Sequence, residues 1–198
     1  MKEISVKGSV RTETGKKATR EMRKAGSVPC NLYGEAKNEN GEPLAVAFTT
    51  TNDELRKLIY SPDIYCVNLD IDGKMHKAIL KEIQFHPVKD NVLHVDFYEI
   101  TDNKPIVMEV PIKLNGLAEG VKAGGRLAAS VRKLKVKSIY TSIPERLDID
   151  VTNLGLGKTI KVGELSFEGL ELITSKEVVV CQVKMTRSAR SAAANAEK

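Results

Sequence analysis

The fold is decided by residues 65–85, YCVNLDIDGKMHKAILKEIQF, which form the clearest β-hairpin pattern in the chain. Apolar and polar side chains alternate over 65–71, as they do in a strand with one buried face. The dipeptide Asp72-Gly73 favours a tight two-residue turn, because both central residues of that turn need a positive φ. The return strand then covers 74–85, and Pro87 prevents it from continuing. This stretch therefore predicts a β-hairpin inside a β-rich domain.

The rest of the first hundred residues shows similar patterns. Apolar alternation predicts further strands, and apolar residues at helical spacing predict two short helices. Pro29 favours an edge position for its strand, because proline cannot donate to a neighbouring strand. Asn40-Gly41 predicts a turn. The expected strands are 4–10, 28–33, 44–48 and 93–97, and the expected helices are 18–25 and 53–60.

A second β pattern starts after 101–105, a polar, proline-terminated segment that is typical of a linker. Glycine-punctuated strands are expected at 106–114, 127–131, 134–140, 147–151, 159–162 and 178–185. The apolar phase switches between Val131 and Leu134, which suggests a bulge. The last 13 residues contain no large apolar side chain and predict a disordered or weakly helical tail. We therefore divide the chain into domains 1–101 and 102–185 and a basic tail 186–198.

Positive charge is concentrated at the two ends of the chain. The first 34 residues carry eight Lys or Arg against three Glu, a surplus that equals the net charge of +5 of the whole chain. After Gly15 the cations recur at helical spacing, and residues 184–198 are also basic. Such a cationic surface gives affinity for polyanions, because neutralised phosphates release counterions. The clustered positive charge therefore indicates nucleic-acid binding. The alternative is that these cations form an ordinary solvated face of a helix.

Composition excludes several other classes of protein. No apolar run reaches the roughly 18 residues that span a bilayer, and Met1-Lys2-Glu3 leads straight into a strand, so we expect a cytoplasmic protein. Cys30, Cys66 and Cys181 are odd in number and widely spaced, which indicates reduced, buried thiols and no zinc site. Gly15-Lys16 lacks the glycine spacing and the following Ser or Thr of a phosphate-binding loop. We expect no cofactor and no metal.

Strand alternation allows a polar cluster near the end of the hairpin. It places Ile79, Ile83 and Phe85 on one face of the return strand, with Leu80, Gln84 and His86 on the other. His94 and Asp96 share a face of the next strand, so they lie near Gln84 and His86 if the two strands pair. These side chains suit a metal or acid/base site, a structural hydrogen bond, or RNA contact. Tyr33 is either an RNA-contacting aromatic or one at the edge of the core.

The order and spacing of these residues resemble the bacterial large-subunit ribosomal protein family numbered twenty-five, whose two-domain members are called the general stress protein Ctc. The resemblance covers residues 3–185. In the first half it rests on Arg11, Gly15-Lys16, Arg20, Arg23, Gly26, Pro29, Leu32-Tyr33-Gly34, Gln84-Phe85-His86-Pro87 and His94-Val95-Asp96-Phe97. In the second half it rests on Gly116, Gly120-Val121, Gly124-Gly125, Ile143-Pro144, Ile149-Asp150-Val151 and Gly157. Glu21, where another cation is common, and Cys30, where a small apolar residue is usual, depart from the pattern.

The resemblance implies a mainly β protein with short helices. Its first domain would be a small antiparallel β-barrel, similar to the anticodon-binding domain of glutaminyl-tRNA synthetase, bound to loop E of 5S ribosomal RNA. Its second domain would be all-β. The implied partners are 5S ribosomal RNA and the neighbouring large-subunit RNA and proteins, with the chain monomeric within the ribosome. The implied RNA-binding residues are Arg11, Lys16, Thr19, Arg20, Arg23, Tyr33, Gln84, His86, His94 and Asp96.

Two other functions are open at this point. One is a free RNA-binding stress factor, which shares every basic residue with a ribosomal protein. The other is a metal-dependent RNA-processing enzyme built on His86, His94 and Asp96, although no fourth ligand is evident. We expect a non-enzymatic structural component of the large ribosomal subunit.

Overall fold

The structure, a computed structural model, describes residues 1–37, 43–101, 104–187 and 189. These residues form two compact units. The first comprises Met1–Lys104 with Ile139–Thr141, and the second comprises Pro105–Ser138 with Ser142–Lys198. The predicted turn at Asn40-Gly41 and part of the predicted linker lie outside the described residues, so the boundary at residue 101 stays a prediction.

The first unit is a closed six-stranded β-barrel. Around the barrel the strands follow the order β1-β3-β2-β6-β5-β4. The hairpin prediction is confirmed, because β4 and β5 pair in antiparallel fashion across Asp72 and Gly73, which have φ values of 49° and 85°. The strands are β1 (Lys2–Val10), β2 (Ser27–Lys37), β3 (Pro43–Thr51), β4 (Tyr65–Ile71), β5 (Lys74–Phe85) and β6 (Val92–Glu99).

The barrel is not purely antiparallel. β1 pairs with β4, and β2 with β6, in parallel, whereas the other neighbours are antiparallel. β2 is therefore an interior strand, and the edge position expected from Pro29 is wrong. Proline is tolerated because pairing with β6 starts only at Cys30, opposite Val95, so β6 does not need the missing N–H of Pro29.

The barrel core is aliphatic around two aromatic rings. Phe48 and Phe97 are fully buried, with ring centroids 5.8 Å apart. Gly8 on β1 makes room for one of them, because a Cβ at this position would lie 2.6 Å from Cδ2 of Phe48. The close approach of β1 to β3 therefore requires glycine.

A bulge in β5 changes which face its side chains share. The register of β5 against β6 shifts between Leu80 and Glu82. Leu80 and Ile83 both pack on the barrel core, whereas Ile79 is buried outside that core cluster. The expectation that Ile79 and Ile83 share one face is wrong, because one extra residue reverses the alternation.

Two short helices flank the barrel strands. α1 (Lys16–Lys24) lies between β1 and β2, and none of its residues is buried. α2 (Asn52–Ile59) follows β3, and its Leu55 and Leu58 are buried. Thr51 caps α2 by accepting a hydrogen bond from the backbone N–H of Glu54. No helix in the described part of the chain has the length and hydrophobicity that crossing a bilayer requires.

The second unit contains two small sheets. One has the strand order β10-β7-β9-β12 and the other the order β11-β13-β8. Their inner faces contribute buried aliphatic residues, among them Val110, Leu134, Ile149 and Val183. The elements are β7 (Ile106–Asn115), α3 (Glu119–Lys122), β8 (Arg126–Ala129), β9 (Lys133–Ser138), β10 (Leu147–Asp150), β11 (Thr159–Lys161), β12 (Glu171–Leu172) and β13 (Val179–Lys184).

The second unit differs from the sequence prediction in its details. The phase switch between Val131 and Leu134 is not a bulge, since β8 and β9 belong to different sheets. The four-residue α3 and the two-residue β12 are too short to leave a pattern. The tail was predicted to be disordered or weakly helical, and its described residues Arg187 and Ala189 are helical. Thr186 donates its hydroxyl to the carbonyl oxygen of Gly124 at 2.6 Å, and Ala189 is buried, so this part of the tail packs on the second unit. Residues 188 and 190–198 lie outside the described part.

Candidate nucleic-acid interface

Helix α1 presents the basic residues that the charge pattern singled out. It begins after Gly15, whose φ of 102° suits glycine, and the first turn carries no acidic residue. Lys16 and Arg20 are exposed, and among the described residues their side chains form no hydrogen bond or ion pair. Thr19 donates its hydroxyl to the carbonyl oxygen of Gly15 at 2.7 Å. Lys16 and Arg20 are therefore available to an external anion, whereas the hydroxyl hydrogen of Thr19 is already donated to Gly15.

A hydrogen bond joins the basic helix to the barrel. Nε of Arg23 donates to the backbone carbonyl oxygen of Leu93 at 3.0 Å. Leu93 immediately precedes His94 on β6, so the end of α1 is held beside the polar residues of that strand. The contact fixes two parts of the predicted site, the basic segment and the His/Asp strand, next to each other.

Arg11 lies where the chain leaves β1. Its backbone N–H donates to the carbonyl oxygen of Ala47 at 2.9 Å, and its side chain is half-buried. Nε of Arg11 is buried and has no hydrogen-bond partner in the described part of the chain. Buried donors without acceptors are uncommon in folded proteins. This donor is therefore suited to an acceptor that a bound ligand would supply.

The pairing of β6 with its two neighbours builds a continuous polar face. Val95 and Phe97 are buried, so His94 and Asp96 point away from the core. Gln84 of β5 is the register partner of His94, as the sequence analysis expected if the strands paired. We call this surface the polar face; its residues are Asn31, Tyr33, Glu82, Gln84, His94, Asp96 and Tyr98.

Three residues of the polar face were missed by the sequence analysis. Asn31 and Glu82 are the register partners of Asp96 on either side of β6, and Tyr98 is the partner of Tyr33. Asn31 alternates with the buried Cys30 and Leu32, but nothing local indicates that β2 pairs with β6. Regular alternation did not predict Glu82 as part of this face, because a bulge turns its side chain to the outer face. Asp96 therefore lies between a neutral amide and a second carboxylate.

His94 and Asp96 are close without forming a short hydrogen bond. Nδ1 of His94 lies 3.5 Å from Oδ1 of Asp96, and both side chains are about one-fifth exposed. This separation exceeds the usual length of an N–H···O hydrogen bond. The pair is therefore not a tight brace, and both groups retain hydrogen-bonding capacity for a ligand.

Tyr33 packs edge to face against Tyr98, with ring centroids 5.9 Å apart. Burial raises the pKa of the Tyr33 phenol, and the negative charges of Asp96 and Glu82 and the nearby Tyr98 raise it further. The phenol therefore stays protonated at neutral pH and can donate a hydrogen bond. It contributes an aromatic edge and a donor to the polar face.

His86 is placed differently from the other candidates. Its Nδ1 accepts hydrogen bonds from the backbone N–H groups of Val88 and Lys89, both at 3.2 Å. Its own backbone N–H donates to the carbonyl oxygen of Asn91 at 2.8 Å. His86 lies beyond the end of β5 and organises the loop to β6, so one ring nitrogen is already occupied. Among the described residues no three His, Cys, Asp or Glu side chains form a group that could hold a metal.

The buried thiol beneath the polar face is inert. Burial and, to a smaller extent, the nearby charge of Asp96 raise the pKa of Cys30 from 9.0 to about 12, although a hydrogen bond with the backbone of Val95 and the charge of Arg11 act in the opposite direction. Cys66 and Cys181 are also buried and free, so the prediction of reduced thiols without disulfides is confirmed. No activated nucleophile is provided by these three residues.

Comparisons with known proteins agree on both units. Residues 6–97 match the model of the ribosomal L25p family, and residues 105–187 match that of the C-terminal domain of ribosomal protein TL5. The chain is 65% identical over 198 residues to the large ribosomal subunit protein bL25 of Phocaeicola vulgatus, with all of both chains covered. It is 63% identical to the bL25 of Bacteroides thetaiotaomicron, again with full coverage, and 55% identical to that of Porphyromonas gingivalis, with 98% of each chain covered.

Proposed function

Because this chain belongs to the ribosomal L25p family, it is a non-enzymatic structural protein of the large ribosomal subunit, and we propose that its first unit binds 5S ribosomal RNA at loop E. As a ribosomal protein it acts in the bacterial cytoplasm. The proposed RNA-binding domain is residues 1–101, and the proposed site joins the cations of α1 to the polar face.

The hydrogen bond from Arg23 to Leu93 is the observation that carries this proposal. It holds the basic helix beside His94, so the groups proposed to bind phosphates and those proposed to contact bases belong to one surface. In protein–RNA complexes cations position the protein on the backbone, while groups that contact base edges and sugar hydroxyls discriminate between targets. Lys16 and Arg20 are suited to the first role, and the polar face is suited to the second.

The chemistry of the polar face suits the minor groove of an RNA duplex. An A-form helix exposes a wide, shallow minor groove with its 2′-hydroxyls, which a broad protein surface can contact. Tyr33, Gln84 and His94 offer neutral donors and acceptors for that purpose. Asp96 and Glu82 repel phosphates, so their contact must be to a base amino group, a sugar hydroxyl, or a water or metal ion held by the RNA.

The test is binding of the full chain to two RNAs. One is intact 5S ribosomal RNA, and the other is the same RNA with loop E replaced by a regular Watson–Crick duplex. We expect the intact RNA to bind at least tenfold more tightly, in keeping with about 1.4 kcal/mol or more of discrimination. Equal affinity for the two RNAs would contradict the proposal.

A second measurement separates a ribosomal component from a free RNA-binding stress factor. Large subunits are centrifuged through sucrose gradients containing high salt, and the protein is detected in the fractions. A ribosomal component is expected to remain with the large subunit. Complete release, together with retained affinity for unrelated RNAs, would favour the free factor.

A further inference from the structure

We propose that the second unit carries a separate phosphate-binding surface that contacts ribosomal RNA outside the 5S molecule. This inference rests on the proposed function, which places the chain among ribosomal RNA. The surface is a group of four exposed cations around Gly124, which we call the basic corner; its residues are Lys122, Arg126, Lys184 and Arg187.

Two of these cations oppose each other across neighbouring strands. Arg126 on β8 is the register partner of Lys184 on β13 in an antiparallel pair. Like charges directly opposite one another in a sheet are destabilising. Their position therefore favours a counter-anion that the isolated chain does not provide.

The other two cations, Lys122 and Arg187, lie next to the turn at Gly124. α3 ends at Lys122, and the chain then turns at Gly124, which has a φ of 88°. The hydroxyl of Thr186 donates to the carbonyl oxygen of Gly124, and the nearest atom to a Cβ at Gly124 would be the Cβ of Ala189, at 3.6 Å. Arg187 lies between these two anchored residues, so it is held close to the start of β8.

The basic corner differs from other charged residues of the same unit in lacking acidic partners. In the described residues none of its four cations forms an ion pair with a carboxylate. By contrast, Lys137 lies 3.2 Å from Glu171, and Lys161 lies 2.8 Å from Glu177. Glu119 is the acid of α3, and it too is in no ion pair within the described part. The positive charge of the corner is therefore locally uncompensated.

The neighbouring side chains suit a sugar–phosphate backbone. Gln182 is the register partner of Ala128 on β8 and of Thr159 on β11, so these residues share the face that carries Arg126 and Lys184. Gln182 and Thr159 offer neutral hydrogen-bonding groups, and Ala128 is small. Beyond β13 the sequence also adds Arg190 and Lys198 against a single Glu197. This combination favours a polyanion over an apolar partner.

The experiment compares two full-length variants from which equal charge is removed. The test variant changes Lys122, Arg126, Lys184 and Arg187 to Gln. The matched control changes Lys113, Lys133, Lys135 and Lys137, on the other sheet of the same unit, to Gln. Each is measured against isolated 5S ribosomal RNA and against large subunits that lack this protein, over a range of salt concentrations.

We expect the test variant to bind isolated 5S ribosomal RNA like the wild type. On the subunits its affinity should fall about tenfold or more, and the salt dependence of log K should become shallower by roughly two units or more. Hydroxyl-radical protection should be lost at positions of the large ribosomal RNA, while the control variant keeps it.

Unchanged subunit affinity and salt slope in the test variant would overturn the inference, even if 5S binding is normal. A lower affinity with unchanged RNA protection would overturn it as well, since the corner would then face a protein. Failure of the wild-type chain to bind isolated 5S RNA would instead contradict the proposed function. If the fourfold variant does not fold, the double variant Arg126→Gln, Lys184→Gln removes only the opposed pair and should keep the wild-type melting temperature.

Discussion

Arg23 donates its Nε hydrogen to the backbone carbonyl oxygen of Leu93 at 3.0 Å, which joins the basic helix to the strand that carries His94. α1 has no buried residue, so burial of apolar surface does little to hold the helix in place. This hydrogen bond therefore helps to position the cations of α1, which we propose bind phosphates, relative to the polar face.

Changing Arg23 to Lys should reduce the preference for intact loop E more than it reduces the overall affinity for RNA. Lysine keeps the charge but lacks the Nε donor, so α1 loses its link to Leu93. We expect a stability loss of about 0.5–1.5 kcal/mol and a reduced preference for intact loop E, measured by urea unfolding and competition binding. The control is Arg20→Lys, at an exposed position without a hydrogen bond in the described structure. Equal behaviour of the two variants would show that the link has no effect in solution.

Removing Lys16 and Arg20 together should make RNA binding less dependent on salt. Each phosphate contact adds roughly 0.7–0.9 to the slope of log K against log salt, so the double Ala variant should be shallower by about 1.4–1.8. The matched control is Arg56→Ala, Lys57→Ala, on the exposed side of α2 in the same unit. If both variants keep the wild-type slope, α1 faces solvent in the complex.

His94→Ala and Asp96→Ala should lower the preference for loop E over an unrelated duplex by about 1–3 kcal/mol, with non-specific affinity nearly unchanged. The carboxylate of Asp96 repels phosphate, and His94 lies beside it on the polar face, so we expect both side chains to act through hydrogen bonds. Melting temperatures are measured in parallel. A large loss of stability with an unchanged affinity ratio would mean that the pair braces the barrel.

Gly8→Ala should destabilise the first unit by about 1–3 kcal/mol. The new Cβ would lie 2.6 Å from Cδ2 of Phe48 and 3.1 Å from the carbonyl oxygen of Thr49, and both neighbours are fixed in the barrel wall. Gly155→Ala is a suitable control, since its Cβ would meet only Cγ of Lys158, at 3.7 Å. Denaturant unfolding measures both, and similar midpoints would show that β1 and β3 can separate at little cost.

Cys30 should make the fold sensitive to alkali. Its pKa of about 12 in the folded chain lies above 9.0, so the folded state holds the thiol proton more tightly than the unfolded state. Its contribution to stability is therefore complete below about pH 9 and is lost progressively as the pH rises toward 12. Between about pH 8 and 11 the wild type should lose more unfolding free energy than Cys30→Ala. Parallel losses would contradict this expectation.

The sequence by itself determined the elements that depend on local chemistry. The hairpin was predictable residue by residue, because the positive φ values at Asp72 and Gly73 and the alternation on either side are properties of the adjacent residues. The cap of α2 at Thr51 and the helical spacing of the cations of α1 are likewise predictable from adjacent residues. The pairing of Gln84 with His94 followed from a short loop between neighbouring strands.

Only the tertiary structure decided which distant strands meet. No local signal specifies that β2 pairs with β6 in parallel, yet this pairing brings Asn31 beside Asp96 and Tyr33 beside Tyr98. The bulge that turns Glu82 outward likewise arises from fitting β5 to two neighbours in a closed barrel. Local patterns therefore identified the candidates Gln84, His94 and Asp96, but not their neighbours Asn31, Glu82 and Tyr98, because parallel partners and register are fixed by long-range packing of the core.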